Sequence, residues 1–241
     1  MWKTATETDI AHVAAAIGDP TRTKVLRALA DGGVLPASAL AAEAGVSMST
    51  ISGHLTKLRE AKLLTVEHDG RHRYYRLAST DVARALEELA RIARPLPVTS
   101  LREDVRNQAL LRARLCYDHL AGRLGVALLA ALVDGGVLAA TGANGYRITP
   151  TGLGRLGEFG IDVEEFSRRR PAIRYCVDWG ERRHHLAGAL GAAIATRLFA
   201  LDWLRRGRAR RAVQLTDAGR TGLHETFGVP LDWDTPPAAA R

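Results

Sequence analysis

The chain has two cysteines in 241 residues, Cys116 and Cys176, and each opens a stretch of the same residue types. The first reads Cys116-Tyr-Asp118-His119-Leu-Ala-Gly122-Arg-Leu-Gly125. The second reads Cys176-Val-Asp178 and, a little further on, His185-Leu-Ala-Gly188-Ala-Leu-Gly191. Two thiolates and two imidazoles brought together are the ligand set of a tetrahedral zinc-type site. The same thiols could sense oxidants or electrophiles if a nearby Arg or His lowered their pKa. A Cys116–His119 nucleophile pair on one helical face is conceivable, but nothing nearby suggests an oxyanion site. The plain alternative is packing, because Cys is often buried and inert and Asp and His serve as caps and hydrogen-bond partners. A small organic molecule bound by the same region is a further reading. Cys116, His119, Cys176 and His185 are therefore candidate sensing residues. No cofactor is assigned and no metal site is fixed. With no Cys-x-x-Cys pair, a structural zinc finger is excluded.

These stretches belong to a longer duplication. His119 and His185 are 66 positions apart. Downstream, Ile148-Thr149-Pro-Thr-Gly152 matches Leu215-Thr216-Asp-Ala-Gly219 at an offset of 67. Each copy reads as a helix, an irregular wing-like stretch, a strand ending in Thr, and a helix stopped by Gly160 or Gly228. Thr149 and Thr216 are positioned to cap those last helices. The glycines of the His-Leu-Ala-Gly stretches would allow close helix contact, so that the two cysteine segments approach each other. Ser100 and Glu103 form a capping box for a helix ahead of the first copy. The Pro- and Ala-rich end after Thr235 reads as a frayed tail.

The first hundred residues have a different order. Residues 6–17 carry Ile10, Val13, Ala14 and Ile17 at helical spacing, with Thr6 and Asp9 as a capping box. Asp19-Pro20 starts a second helix with Val25, Leu26 and Leu29 inward, stopped by Gly32-Gly33. A short helix over residues 37–44 ends at Gly45. Ser47 then caps a helix running to about Lys62, with Ile51, Leu55 and Leu58 on one face. Two strand-like runs, residues 63–66 and 73–77, flank an Asp69-Gly70 turn. Ser79 or Thr80 caps a last helix with Val82, Leu86 and Leu89 inward, and Pro95 and Pro97 mark a boundary. A helix, a Gly turn, a helix and a hairpin in that order make a winged helix-turn-helix. The expected fold is mainly α with small β wings: a winged helix-turn-helix over 1–94, a linker over 95–100, and a duplicated winged-helix-like domain over 101–241, its repeats spanning about 101–160 and 161–235.

The first domain resembles the ArsR family of bacterial repressors. The matching stretches are Gly18-Asp-Pro-Thr-Arg22 with Val25-Leu26, Ala41-Ala-Glu-Ala-Gly-Val-Ser47, Thr50-Ile-Ser-Gly-His-Leu55, Leu58-Arg-Glu-Ala-Lys-Leu-Leu64, and Gly70-Arg71 with Tyr74-Tyr-Arg-Leu77. The resemblance covers residues 10–94 and implies a homodimer that binds an inverted-repeat operator and releases it on sensing a signal. It also implies that the helices at residues 9–17 and 80–93 make the dimer contact. Metal-sensing members carry cysteines on the first helix of the helix-turn-helix, or His and Asp on the helix after the wing. Residues 37–44 hold no Cys and residues 81–92 no His, so neither familiar metal site is present. Gly53 stands where the family often has a long polar residue.

The charge balance agrees with a polyanionic partner: 34 Lys and Arg against 26 Asp and Glu give +8, and the pI is near 10.1. Ser49, Thr50, Ser52, His54 and Lys57 on the helix after the turn, with Arg71 and Arg73 on the wing, are the expected contacts to double-stranded DNA. His54 could instead pack against the helix beneath it. The run from Arg205 to Arg211 reads first as a solvated turn and second as another DNA contact. No phosphate-cradling Gly loop, His-Glu-x-x-His or Ser-centred elbow is present, so no enzyme is expected. No apolar run suits a membrane span or a signal peptide, and two lone cysteines suit the cytoplasm. The reading is a DNA-binding transcriptional regulator, a repressor released by a metal or small-molecule effector sensed in the second domain. The alternative is a winged-helix protein-interaction module without sequence-specific DNA binding.

Overall fold

A computed structural model describes residues 8–70, 72–94, 97–98, 100–142, 145–168 and 170–235. Its internal packing separates a unit of Met1–Leu86 from one of Glu87–Arg241. The expected cap Thr6, the wing residue Arg71, the boundary residue Pro95 and the tail after Thr235 lie outside the described residues.

The first unit opens with α1 (Ile10–Ile17) and α2 (Pro20–Ala28). Asp9 caps α1 by accepting from the His12 amide, and Asp19 caps α2 by accepting from the Arg22 amide. Arg22 also donates to the carbonyls of Ala15 and Ala16, at 2.8 and 2.5 Å, which are orphan acceptors at the end of α1. The Asp-Pro-Thr-Arg stretch thus starts one helix and stops the other. Then follow β1 (Leu35–Pro36), α3 (Ala37–Ala44), α4 (Met48–Glu60), β2 (Leu64–Asp69) and β3 (His72–Leu77). Gly45, at φ +73°, ends α3 in the left-handed region. Ser47 caps α4 through the Thr50 amide. Ile51, Leu55 and Leu58 of α4 are buried with Val25, Leu26, Leu29 and Leu40. The wing has one strand more than the sequence suggested: β1 pairs antiparallel with β3, Leu35 opposite Tyr75. Two residues, one of them Pro, are too short a run to show a period of two, and Pro is tolerated there because this is an edge strand.

Helix α5 (Thr80–Ile92) crosses the division between the units. The second unit continues with α6 (Leu101–Arg112), capped by Ser100, whose side chain accepts from the Glu103 amide. Two runs of elements in the same order follow. The first is β4 (Arg114–Cys116), β5 (His119–Ala121), α7 (Gly122–Asp134), β6 (Leu138–Thr141), β7 (Gly145–Ile148) and α8 (Pro150–Glu158). The second is β8 (Arg174–Val177), β9 (His184–Ala187), α9 (Gly188–Ala200), β10 (Leu204–Arg206), β11 (Val213–Leu215) and α10 (Asp217–Phe227). Thr149 and Thr216 cap α8 and α10, each accepting an amide three residues on. The sequence signal for each repeat missed its opening hairpin. The Cys and His of each copy lie on paired strands and not on one helix, so the helical Cys116–His119 pair is not what forms.

The two runs interlock. Helix α7 packs on β9 of the other run, and α9 packs on β5. Leu124, Leu128 and Leu132 of α7 share one core with Leu190, Ile194 and Leu198 of α9, and Leu156, Phe159, Leu223 and Phe227 join them from the second half of each run.

Candidate metal centre and nucleic-acid interface

Each opening hairpin sets its Cys directly across from its His. Cys116 pairs with His119 over the short turn at Tyr117-Asp118, and Cys176 pairs with His185 over a longer loop. The cross-strand neighbours on one face of a two-stranded sheet point the same way, so each hairpin offers one sulfur and one imidazole together. The packing of α7 on β9 and of α9 on β5 turns these offers toward each other. The four candidate ligand atoms lie within 4.8 Å of one another, and all four residues are buried. The His119 and His185 rings stack with centroids 5.3 Å apart. Ala121 and Ala187 close in beside the sulfurs. The close helix contact expected of the glycines takes a different form. Gly125 and Gly191 each lie against the backbone of the preceding hairpin and the His of the other repeat.

A carboxylate orients the His119 ring, and a second stands further from the His185 ring. Asp118 lies 3.1 Å from Nδ1 of His119 and is gripped by Arg170 at 2.5 and 3.0 Å. Asp178 lies 3.8 Å from Nδ1 of His185 and is held by Arg114 at 2.8 Å and by the amides of Gly122, Gly180 and Glu181. Arg114 is itself fully buried, 3.7 Å from Glu87 and stacked over Trp179. Each Asp-Arg pair joins one repeat to the other.

The electrostatics of the two imidazoles diverge. Burial opposes the charge of His119, but the Cys116 sulfur and the Asp118 carboxylate outweigh it and push its pKa up to about 9. Burial and then repulsion from His119 push His185 down to about 3. Burial also opposes the charge of Asp118, but hydrogen bonds from His119 and Arg170 carry its pKa down to about 2. The Cys116 thiol is driven well up, first by its hydrogen bond with Cys176 and then by burial. A sensing thiol needs access and a lowered pKa; a thiol 1% exposed has neither. The same burial keeps the Cys116–His119 pair out of contact with solvent.

In the first unit, Ser49, Thr50, Ser52 and Lys57 are exposed on the side of α4 opposite its buried Ile51, Leu55 and Leu58. The hydroxyls of Ser49 and Thr50 lie 2.8 and 2.9 Å from that of Ser47. Open space surrounds Gly53 where a Cβ would stand, so this surface can be approached closely. His54 sits apart from the others. It is half-buried, with Nδ1 3.6 Å from the Asp19 carboxylate that caps α2, and this is the packing alternative the sequence had offered. Arg73 is exposed on β3, opposite His68. In the basic run of the second unit, Arg205, Arg206 and Arg208 are exposed. Arg205 is paired with Asp202, Arg206 lies over Phe199, and Arg211 turns inward to Glu87 and the Leu115 carbonyl. No helix among the described residues is long and apolar enough to cross a membrane.

A model of the helix-turn-helix domain matches residues 17–67, which span α2 through most of the first wing strand. YdfF of Bacillus subtilis, an uncharacterised helix-turn-helix-type transcriptional regulator, is 41% identical over 224 residues, covering 92% of this chain and 99% of the relative. The transcriptional regulator CmtR of Mycobacterium bovis is 41% identical over 86 residues, 36% of this chain and 72% of CmtR. A solved structure from the same species, the homodimeric winged helix-turn-helix DNA-binding domain of Mb0332, described as a possible ArsR-family regulator, is 29% identical over 36% of this chain and 86% of that one, with a TM-score of 0.32. The match to YdfF runs through both units, so the duplicated second unit is shared with a full-length regulator and is no appendage of this chain alone. With a relative of that class matched over nearly its whole length, the chain belongs to the helix-turn-helix-type transcriptional regulators, a non-enzymatic class.

Proposed function

We propose that the chain is a homodimeric repressor that binds an inverted-repeat operator through α4 and the wing, and that leaves it when the second unit takes up an effector. The observation that carries this reading is the exposed polar face of α4, Ser49, Thr50, Ser52 and Lys57, set on a buried Ile51-Leu55-Leu58 stripe. Short hydroxyls reach base edges and phosphates, and Lys57 suits a phosphate. Arg71 and Arg73 supply cations to the backbone or the minor groove. His54 supports α4 from beneath more than it reads DNA, given its approach to Asp19. The second unit is a duplicated module in which each copy carries a wing-like hairpin followed by a Thr-capped helix. Its working compartment is the cytoplasm, where DNA and reduced thiols coexist.

The test is fluorescence anisotropy with duplexes tiled from the DNA upstream of the chain's own gene, at physiological salt. One duplex should bind at least about 10³-fold more tightly than its scrambled counterpart, and dyad symmetry should be present in it. Equal affinity for every duplex would favour the protein-interaction reading instead.

A further inference from the structure

We infer that Cys116, His119, Cys176 and His185 bind one transition-metal ion of the zinc class in a closed tetrahedral site shared by the two repeats.

The geometry makes the case in three steps. First, four ligand atoms of two sulfurs and two ring nitrogens fall within 4.8 Å of one another. Zinc bonds of about 2.3 Å to sulfur and 2.0–2.1 Å to nitrogen give tetrahedral edges of roughly 3.3–3.8 Å, so a contraction of about an ångström completes the shell. Second, the imidazoles lack other partners at the centre. Nε2 of His119 and both ring nitrogens of His185 are buried without a hydrogen bond. Buried polar atoms are nearly always satisfied, and a metal ion held by the two sulfurs would satisfy these ring nitrogens as well. A Cys116–Cys176 disulfide would use the sulfurs and leave those nitrogens stranded. Third, an outer shell is in place around one ring. Asp118 lies 3.1 Å from Nδ1 of His119, the carboxylate–imidazole arrangement that fixes a ligand ring and leaves Nε2 for the metal, while Asp178 stands 3.8 Å from Nδ1 of His185, without a hydrogen bond to it. Arg170 and Arg114 balance those carboxylates, so two thiolates and a divalent ion add no net charge to the interior.

The ligand types select the metal. Thiolate with imidazole in a tetrahedron suits zinc, and also cadmium, cobalt(II) and copper(I), and is foreign to magnesium and calcium. Four protein ligands leave no open position, so the site holds its ion without catalysing on it. It also differs from a Cys-x-x-Cys finger, because its ligands come as Cys-His pairs across two hairpins of different repeats. The ion therefore fastens one repeat to the other.

Cobalt(II) is the probe. The full-length protein, reduced and stripped with a chelator, is titrated with cobalt in the absence of oxygen. The expected result is intense visible d–d bands of tetrahedral cobalt and a near-ultraviolet thiolate-to-cobalt band. Both should saturate at one ion per chain and be abolished by one equivalent of zinc. Cys116→Ser and Cys176→Ser should each weaken the thiolate band, and the double variant should remove it. Three results overturn the proposal: weak octahedral bands, binding that is unchanged in the double variant, or no uptake by the reduced parent protein. The parent spectrum decides even if a variant fails to fold.

Discussion

Gly125 and Gly191 make the same close approach in opposite directions. A Cβ on Gly125 would lie 2.4 Å from the Leu120 carbonyl oxygen and 3.5 Å from the Cβ of His185. A Cβ on Gly191 would lie 2.7 Å from the Leu186 carbonyl oxygen and 3.2 Å from the Cβ of His119. Each glycine lets the start of its helix press on its own hairpin and on the other repeat's histidine at once. Gly125→Ala and Gly191→Ala should therefore each destabilise the second unit, by about 1–3 kcal/mol or more. Gly53→Ala, in the interior of α4 with nothing within 4 Å of the new methyl, should raise stability by up to about 1 kcal/mol. Urea titrations of the three variants should give opposite signs.

Arg114 is the buried cation on which two carboxylates depend, Asp178 at 2.8 Å and Glu87 at 3.7 Å. Arg114→Met would leave them in the interior without it, and should cost about 3–5 kcal/mol. Glu87 adds a pH dependence. Burial opposes its charge, but Arg211 and Arg114 outweigh burial and hold its pKa below the ordinary glutamate value. Its contribution is therefore fully present above that ordinary value and is lost as pH falls through the lowered one. Acid titration of the second unit's unfolding, followed by its tryptophan fluorescence, should show Glu87→Gln flattening this loss. An unchanged acid limb would show that Glu87 adds nothing.

On the DNA side, Lys57→Ala should weaken binding to operator and scrambled duplexes alike and lower the slope of log K against log salt by about 1, as expected for one lost phosphate contact. Arg73→Ala should do the same. His54→Ala should leave the salt slope alone and act through α4, because its neighbour is the Asp19 cap.

Ile10 on α1 is 73% exposed and Ile92 on α5 is 71% exposed, large apolar side chains on the two helices proposed to form the dimer contact. Changing both to Asp should shift the protein toward monomer in light scattering at micromolar concentration and weaken operator binding. A double variant that stays dimeric places the contact elsewhere.

Most of the first unit was legible because its signals are local. The Asp19-Pro20 start, the Gly45 stop, the Ser47 cap and the Ile51-Leu55-Leu58 stripe each act within a turn or two, and each does what its residue type dictates. Strand β1 escaped because two residues carry no period. In the second unit the duplication marked the four residues of the cluster as candidates, since Cys, Asp and His recur in order in both copies. What it did not reveal was the hairpin. Tyr117-Asp118 has no Asn-Gly or Asp-Gly turn, although Tyr117 adopts φ +63°, and three-residue strands are too short to alternate. The glycines carried the missing signal: Gly122 and Gly188, at φ +77° and +85°, mark the sharp passage from strand to helix that a continuous helix would not need. Arg114, Arg170 and Glu87 were not found, because they act through contacts far apart in sequence.

The proposed release of the operator by an effector in the second unit, joined to the ion site inferred there, makes the loading of the Cys-His cluster the condition to vary. The direct measurement is operator affinity of the full-length protein, chelator-stripped and zinc-loaded, for the parent and the Cys116→Ser/Cys176→Ser double variant under reducing conditions. The account predicts a change on zinc loading in the parent of about 5–150-fold, the usual range for coupled sites, and no change in the double variant. Equal operator affinity of the stripped and loaded parent, with zinc shown to be bound, would contradict it.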